Sequence, residues 1–327
     1  MNSRSDVSSV LFITSSRIGD AVLSSGLLKY LHDSYPNAKV TICCGPLAVS
    51  LFEGYPNLDK IIPVKKQKYN KHWFDVWLQV VGTQFDIVID LRNSAVSRLV
   101  RSKKRYIYGS YVDKSAHKVI QNASVMKLEE PPSPYLWFTE KQKGAANNFI
   151  PSGNTVLAVG PTANWIGKTW SSDRFIEVID WLTGEVGLLP NARVAVFAAP
   201  NEEEDAYKVL SSIPKDRQID LIAIVDPGTA AACLRLCDFY IGNDSGLMHC
   251  AAAVGIPTLG LFGPSYPNIY APWGGEAFFV STPETIDELI DYEGYSSKTC
   301  KSLMGSLSVE SVKEVIKKNW PKISTSS

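Results

Sequence analysis

No long apolar run, no Cys-x-x-Cys pair, no net charge and no Gly-x-Gly-x-x-Gly fingerprint occur in this chain of 327 residues. Each absence removes a class of function. Without a stretch approaching roughly 18 consecutive apolar residues, no transmembrane helix is expected. The opening MNSRSDVSSV lacks the charged-then-apolar order of a signal peptide, so the reading is of a cytoplasmic protein. The six cysteines, at 43, 44, 233, 237, 250 and 300, have neither zinc-site nor disulfide-framework spacing. They read as buried thiols of a reducing compartment, and no metal is expected. A formal charge of zero argues against nucleic acid as a partner. A dinucleotide-dependent dehydrogenase is excluded because residue 17 is arginine and Gly19 is the only glycine of the first loop.

What is present is a globular composition, 45% apolar, with an uneven distribution of charge. Residues 1–150 hold 20 basic and 12 acidic side chains, whereas residues 151–327 hold 13 and 21. A basic half of this kind suggests an acidic partner. Strand and helix candidates alternate from the start: VLFIT at 10–14, a helix at 21–35, KVTICC at 39–44, a short helix near 46–53 and a strand at KIIPV. A helix around HWFDVWLQVVG, a strand at FDIVIDL and a polar basic stretch to Arg105 follow. The breaker clusters EEPPSP and FIPSGN form a seam, after which TVLAVGP, RVAVFAAP, IDLIAIV, FYIGND and TLGLFGP restart the rhythm. Short strands alternating with helices predict parallel sheets with crossover helices. The expectation is an α/β protein of two doubly wound domains, 1–150 and 151–327, with the last helix packing back on the first domain as an option.

Ligands of such sheets bind at the carboxyl ends of strands. Four loops there are rich in chemistry: RIGD, GPTANWIGKTW, AAPNEEE and GNDSGLMHCAAAVG. In the last, Asp244 and Ser245 precede a helix whose amides at 245 and 246 and whose dipole would attract a diphosphate, although capping that helix is an equal reading. His249, on the same helix, reads from composition more readily as a core residue than as a ligand contact. Lys168 is a compact charge suited to phosphate oxygens, and Glu202 stands at a strand end where ribose hydroxyls could donate to it. Asp20, on its own, reads as the cap of a helix starting at Ala21.

The run FYIGNDSGLMHCAAAVGIPTLGLFGP, together with SSRIGDAVLSSG, GPTANWIGKTW, AAPNEEE and CKSLMGSLSVESV, resembles glycosyltransferase family nine, the heptosyltransferases of lipopolysaccharide core assembly. The resemblance implies a GT-B fold, in which two Rossmann-like domains face a central cleft, the first for the acceptor and the second for a sugar nucleotide. It implies inverting transfer with no obligatory metal or cofactor. By position, Asp20 is similar to the catalytic base and Lys168 to the residue that neutralises the donor diphosphate. Glu202 is similar to the ribose acid, and Asp244, Ser245, Gly246 and His249 match the nucleotide-sugar motif. Thr162 and Asn164 fall where that family has donor-phosphate contacts. Arg17, Arg98 and Arg101 are candidates for an acidic acceptor or a phosphate. The implied substrates are a nucleotide diphosphate sugar, with ADP-heptose leading, and an anionic glycolipid acceptor. Peripheral contact with the inner-membrane surface would follow through the lysines at 65, 66, 68 and 71 and the arginine-lysine cluster at 98–105. Trp73 and Trp77 read first as a core stripe and second as an interfacial face. A sugar-nucleotide epimerase and a non-catalytic sugar-nucleotide-binding protein are the alternatives.

Overall fold

The computed structural model describes residues 7–297 and 299–323. It divides into two compact units, Met1–Lys141 with Asp226–Gly228, and Gln142–Val225 with Thr229–Ser327. The change of unit thus falls at 141–142, where the sequence reading put 150.

In the first unit five parallel strands, β1 (Ser9–Ile13), β2 (Lys39–Cys44), β3 (Leu58–Pro63), β4 (Gln84–Asp90) and β5 (Arg101–Ile107), lie in the order β3-β2-β1-β4-β5. The helices are α1 (Ile18–Ser34), α2 (Lys71–Val80), α3 (Val96–Leu99) and α4 (Lys118–Val125). Central strands β1, β2 and β4 are almost wholly buried, as continuous Val/Ile/Leu/Phe runs of a parallel sheet must be. Strand β5, RSKKRYI, covers the end of the polar basic stretch to which the sequence assigned no element. It is an edge strand and mostly exposed, so no apolar pattern marks it. Helix α1 begins at Ile18, three residues before the expected start, because Arg17 already takes the extended N-cap conformation. Gly45 follows β2 so closely under the first loop that a methyl there would come within 2.4 Å of the Ser16 backbone.

The second unit has six parallel strands: β6 (Val156–Gly160), β7 (Arg193–Ala198), β8 (Gln218–Ile222), β9 (Phe239–Asn243), β10 (Thr258–Phe262) and β11 (Ala277–Ser281). Their order, β11-β10-β9-β6-β7-β8, is the Rossmann order of strands. Helix α5 (Glu140–Phe149) enters the unit, and α6 (Ser172–Thr183), α7 (Glu203–Ser212), α8 (Pro227–Leu234), α9 (Gly246–Val254), α10 (Pro267–Tyr270), α11 (Ile286–Ile290) and α12 (Val309–Ile323) follow. Helix α9 ends at Gly255, whose φ of +88° gives the left-handed cap that the Gly-x-Pro stop signal predicts. Val309, Val312 and Ile316 of α12 are buried in this unit's core with Trp170 and Phe175. All six cysteines are buried free thiols.

Candidate active site

In each unit the strand order reverses once, between β1 and β4 in the first and between β6 and β9 in the second. The loops leaving a reversal point diverge to opposite faces and leave a crevice at the carboxyl ends of the strands. Most of the polar residues singled out in the sequence lie at these two places; Arg98 and Arg101 do not.

In the first unit a small cavity of about 50 Å³ is lined by Thr14, Ser15, Asp20, Leu91, Arg92, Lys118 and Asn122. Asp20 lies in the first turn of α1, not in the loop before it. It therefore does not cap that helix. Ser15 Oγ donates to its carboxylate at 3.2 Å and in turn accepts from the Arg17 amide at 3.2 Å and from Arg92 Nη1 at 3.4 Å. Arg92 is placed by Asp90, a fully buried carboxylate at the end of β4 that accepts from the amides of Arg92 and Ser94 at 2.8 and 2.7 Å. Lys118 enters from α4. Burial pulls its ammonium below the usual lysine value, Asp20 opposes that shift and Arg92 adds to it. Asn122, one turn further along α4, donates to the Leu23 carbonyl at 3.1 Å and ties α4 to α1. The cavity thus offers one carboxylate, two cations and two hydroxyls. Neither Arg92, Lys118 nor Asn122 was singled out in the sequence.

The three arginines that were singled out fare differently. Arg17 is exposed beside this cavity at the N-cap of α1. Arg98 donates to the Ser94 carbonyl and to Asn93 Oδ1, bracing its own loop, and is not among the cavity's lining residues. Arg101 opens β5 opposite Gln84, while Asp90 pairs with Ile107, so Arg101 stands at the far end of the sheet from the crevice. A strand of this length separates the two ends by about 20 Å. Of the basic cluster, Lys103 pairs with Asp86 at 2.7 Å, and Arg105 donates to the Ser97 and Val100 carbonyls.

In the second unit Lys168 is ion-paired with Asp244, whose side chain is 6% exposed against 25% for the lysine. This pair spans the reversal point, because Lys168 lies on the loop after β6 and Asp244 follows β9. Fully buried Asn243 fixes that geometry: its Oδ1 accepts from the Trp170 amide at 3.1 Å and its Nδ2 donates to the Pro161 carbonyl at 2.9 Å. The loop is also held from the carboxy-terminal side. Trp170 Nε1 donates to the Leu307 carbonyl at 2.9 Å and the Leu303 amide to the Gly167 carbonyl at 3.0 Å. Thr162 Oγ1 donates to Glu202 at 2.6 Å, which brings the loop after β7 to the same corner. Ser245 is the N-cap residue of α9 by backbone conformation, yet its hydroxyl caps nothing. With Asp244 committed to Lys168, capping accounts for neither residue. Ser245 and Gly246 are half-buried at the helix start, and His249 is buried four residues along on the same face. Asn164 is exposed on the loop. Among the described residues no group of three or more His, Cys, Asp or Glu is placed to hold a metal ion.

This corner joins a cation, two hydroxyls, a carboxylate and the uncapped N-terminus of α9, groups of the kind that bind phosphate and hydroxyls. Residues 114–295 match the profile of glycosyltransferase family 9 (heptosyltransferase), and the chain belongs to that family. It is an enzyme, a glycosyltransferase, and its two Rossmann-like units make up a GT-B fold. Among curated proteins it is similar to lipopolysaccharide heptosyltransferase 2 of Escherichia coli K12, 24% identical over 82% of this chain and 86% of that one. Lipooligosaccharide heptosyltransferase 2 of Campylobacter jejuni is 22% identical over 78% of this chain and 82% of its own length. Among solved structures it is similar to a family 9 glycosyltransferase of Veillonella parvula, with a TM-score of 0.77 at 20% identity over 98% and 100% of the two chains. The Escherichia coli heptosyltransferase solved with ADP gives 0.72 at 18% identity over 95% and 99%.

Proposed function

We propose that this enzyme is an inverting transferase. It moves a sugar, with heptose from ADP-heptose as the leading donor, onto an anionic saccharide of the lipopolysaccharide core or a related envelope glycan. The observation that carries the reading is Lys168, held by Asp244 beside the open N-terminus of α9 at the reversal point of the second sheet. The relatives named above act as heptosyltransferases, and one was solved with ADP, which supports an ADP-linked donor.

In this reading the diphosphate lies against Lys168, the Ser245 hydroxyl and the first amides of α9, with Thr162, Asn164 and His249 as further contacts, while Glu202 accepts from ribose hydroxyls. The acceptor lies in the first unit. Its hydroxyl gives its proton to the Asp20 carboxylate as its oxygen attacks the anomeric carbon. The bond from that carbon to the diphosphate breaks and its electron pair stays on the leaving phosphate oxygen. Fixed positive charge and helix amides stabilise that oxygen, so no acid is needed to protonate it. Arg92 and Lys118 meet an anionic substituent near the reacting hydroxyl, with Arg17 at the rim.

Contact with the cytoplasmic face of the inner membrane belongs to the same reading. Tyr69, Phe74 and Leu78 are 93%, 60% and 55% exposed, and exposed lysines at 65, 66, 68 and 71 surround them. Such a surface suits anionic headgroups over an acyl boundary. No described helix is long and apolar enough to cross a membrane.

The test is transfer by the wild type and by Asp20→Asn, with nucleotide binding measured in parallel. Asp20→Asn should lower turnover by about two to four orders of magnitude, the range of general base catalysis, and leave nucleotide affinity unchanged. Equal turnover would remove the base from residue 20.

A further inference from the structure

Beneath the first turn of α9 lies a phenol without a partner. Tyr240, in β9, is 0% exposed, and its hydroxyl makes no hydrogen bond of normal geometry. It is there because Gly160 and Gly242 stand opposite each other on neighbouring strands and leave it room; Gly260, opposite Gly242 on the other side, continues the row. A methyl added at 160 or at 242 would come within 2.2 Å of the Tyr240 hydroxyl, and one added at 260 within 2.4 Å of the Met248 sulfur. The glycine row therefore leaves a floor under α9, and the Tyr240 ring runs along it towards the carboxyl ends of the strands. Its hydroxyl stops near Leu247, whose Cδ2 is 3.2 Å from the methyl position at Gly160. Burial pushes the phenol well above the usual tyrosine value, and the nearby Ser245 hydroxyl works the other way.

A buried hydroxyl that pairs with nothing is a cost to folding, and phenylalanine in the same slot would avoid it. Ser245 has the complementary vacancy, since its Oγ sits at a helix N-terminus and caps nothing. We propose that Tyr240 is a positioning residue for the donor site. When a nucleoside diphosphate docks on α9, Ser245 turns its proton to a phosphate oxygen and the Tyr240 hydroxyl donates to the Ser245 Oγ, completing a chain from phenol to serine to phosphate. The ligand class is the diphosphate of the sugar nucleotide, and the inference rests on the donor-site reading above. The chain also gives Gly160 and Gly242 a purpose, since any side chain at either position would displace the phenol.

The experiment titrates ADP, GDP and UDP into the wild type by calorimetry and carries the tightest forward into Tyr240→Phe, Ser245→Ala and the double variant. Melting of each ligand-free protein is recorded as well. Tyr240→Phe should bind the nucleotide about tenfold more weakly, the scale of one buried hydrogen bond. Its ligand-free melting temperature should equal or exceed that of the wild type, because an unpaired hydroxyl has gone. The double variant should bind no more weakly than Ser245→Ala, since both single changes break one chain. Unchanged affinity in Tyr240→Phe overturns the inference and leaves the donor site standing, whether or not melting falls. Additive losses in the double variant overturn the passage through Ser245. Failure of the wild type to bind any of the three nucleotides overturns the donor-site reading and this inference with it.

Discussion

Lys168 illustrates how one side chain here meets two demands. Its ammonium offsets the nearly buried Asp244 carboxylate and, in the proposed reaction, meets the diphosphate. Removing it leaves the Asp244 carboxyl without its partner in a poorly hydrated place, so Lys168→Ala should cost about 1–3 kcal/mol of stability in urea unfolding, less than a fully buried pair because the lysine is partly solvated. Adding Asp244→Asn removes the stranded charge and should restore most of that loss without restoring nucleotide affinity. If the double variant bound nucleotide like the wild type, Lys168 would have no part in holding phosphate. In the first unit, by contrast, the basic residues that line the cavity are not the clustered ones. Arg92 reaches the cavity because buried Asp90 shapes its turn, and Lys118 because α4 packs against α1.

Strands β1, β4 and β5 are pinned together at their amino ends by a single carboxylate. Asp86, 8% exposed, accepts from the Ser8 amide at 2.7 Å, the Ser8 hydroxyl at 2.9 Å, the Ser9 amide at 3.1 Å and Lys103. Burial alone would raise its carboxyl, but Lys103 and the serine hydrogen bonds outweigh it and hold the group well below the usual carboxylate range. A carboxyl depressed in the folded state contributes stability above the unfolded-chain value of about 4 and loses it as pH falls towards the folded-state value. Asp86→Asn should therefore cost about 1–2 kcal/mol near pH 7, and the gap between variant and wild type should narrow as unfolding is followed below pH of about 4. A gap that did not depend on pH would assign the loss to packing. The same elements explain a difference between reading and structure. Edge strand β5 pairs along one side only and keeps Lys and Arg in solvent, so nothing in RSKKRYI advertises a strand.

The uneven charge of the two halves becomes a surface property in the first unit. Helix α2 turns His72, Val76 and Val80 inward, while Trp73 and Trp77 pack partly against the core, as the stripe reading expected. Phe74 and Leu78 point outward beside the lysine group, which composition did not predict. The wild type should sediment with vesicles of phosphatidylglycerol and phosphatidylcholine, less so as salt is raised. A Lys65→Glu, Lys66→Glu, Lys68→Glu variant should lose most of that binding, since each basic side chain near such a surface contributes about 1 kcal/mol. Phe74→Ser with Leu78→Ser should weaken it while transfer to a water-soluble acceptor is kept. Equal binding of pure phosphatidylcholine vesicles by all of these proteins would dismiss an anionic surface as the partner.

The alternation of strands and helices, the buried central strands and the strand-to-helix junctions that carry Asp20, Lys168, Glu202 and Ser245 are all legible in residue order. Local propensity and hydrophobic period act over a few residues, and the functional loops sit where those periods break. Start points of helices shift by a turn because the N-cap is a backbone conformation and Arg17 has no capping side chain to betray it. Which loops meet is a different matter. The order β3-β2-β1-β4-β5 puts Arg92 and Lys118 next to Asp20, and the parallel pairing of β5 with β4 leaves Arg101 at the opposite end of the sheet. In the second unit the order β9-β6 brings Asp244 to Lys168 and sets Gly160 beside Gly242 against a hidden phenol. Strand order and register come from how crossover helices pack on both faces of a sheet, a balance of contacts between residues far apart in the chain. No short window of residues contains that balance.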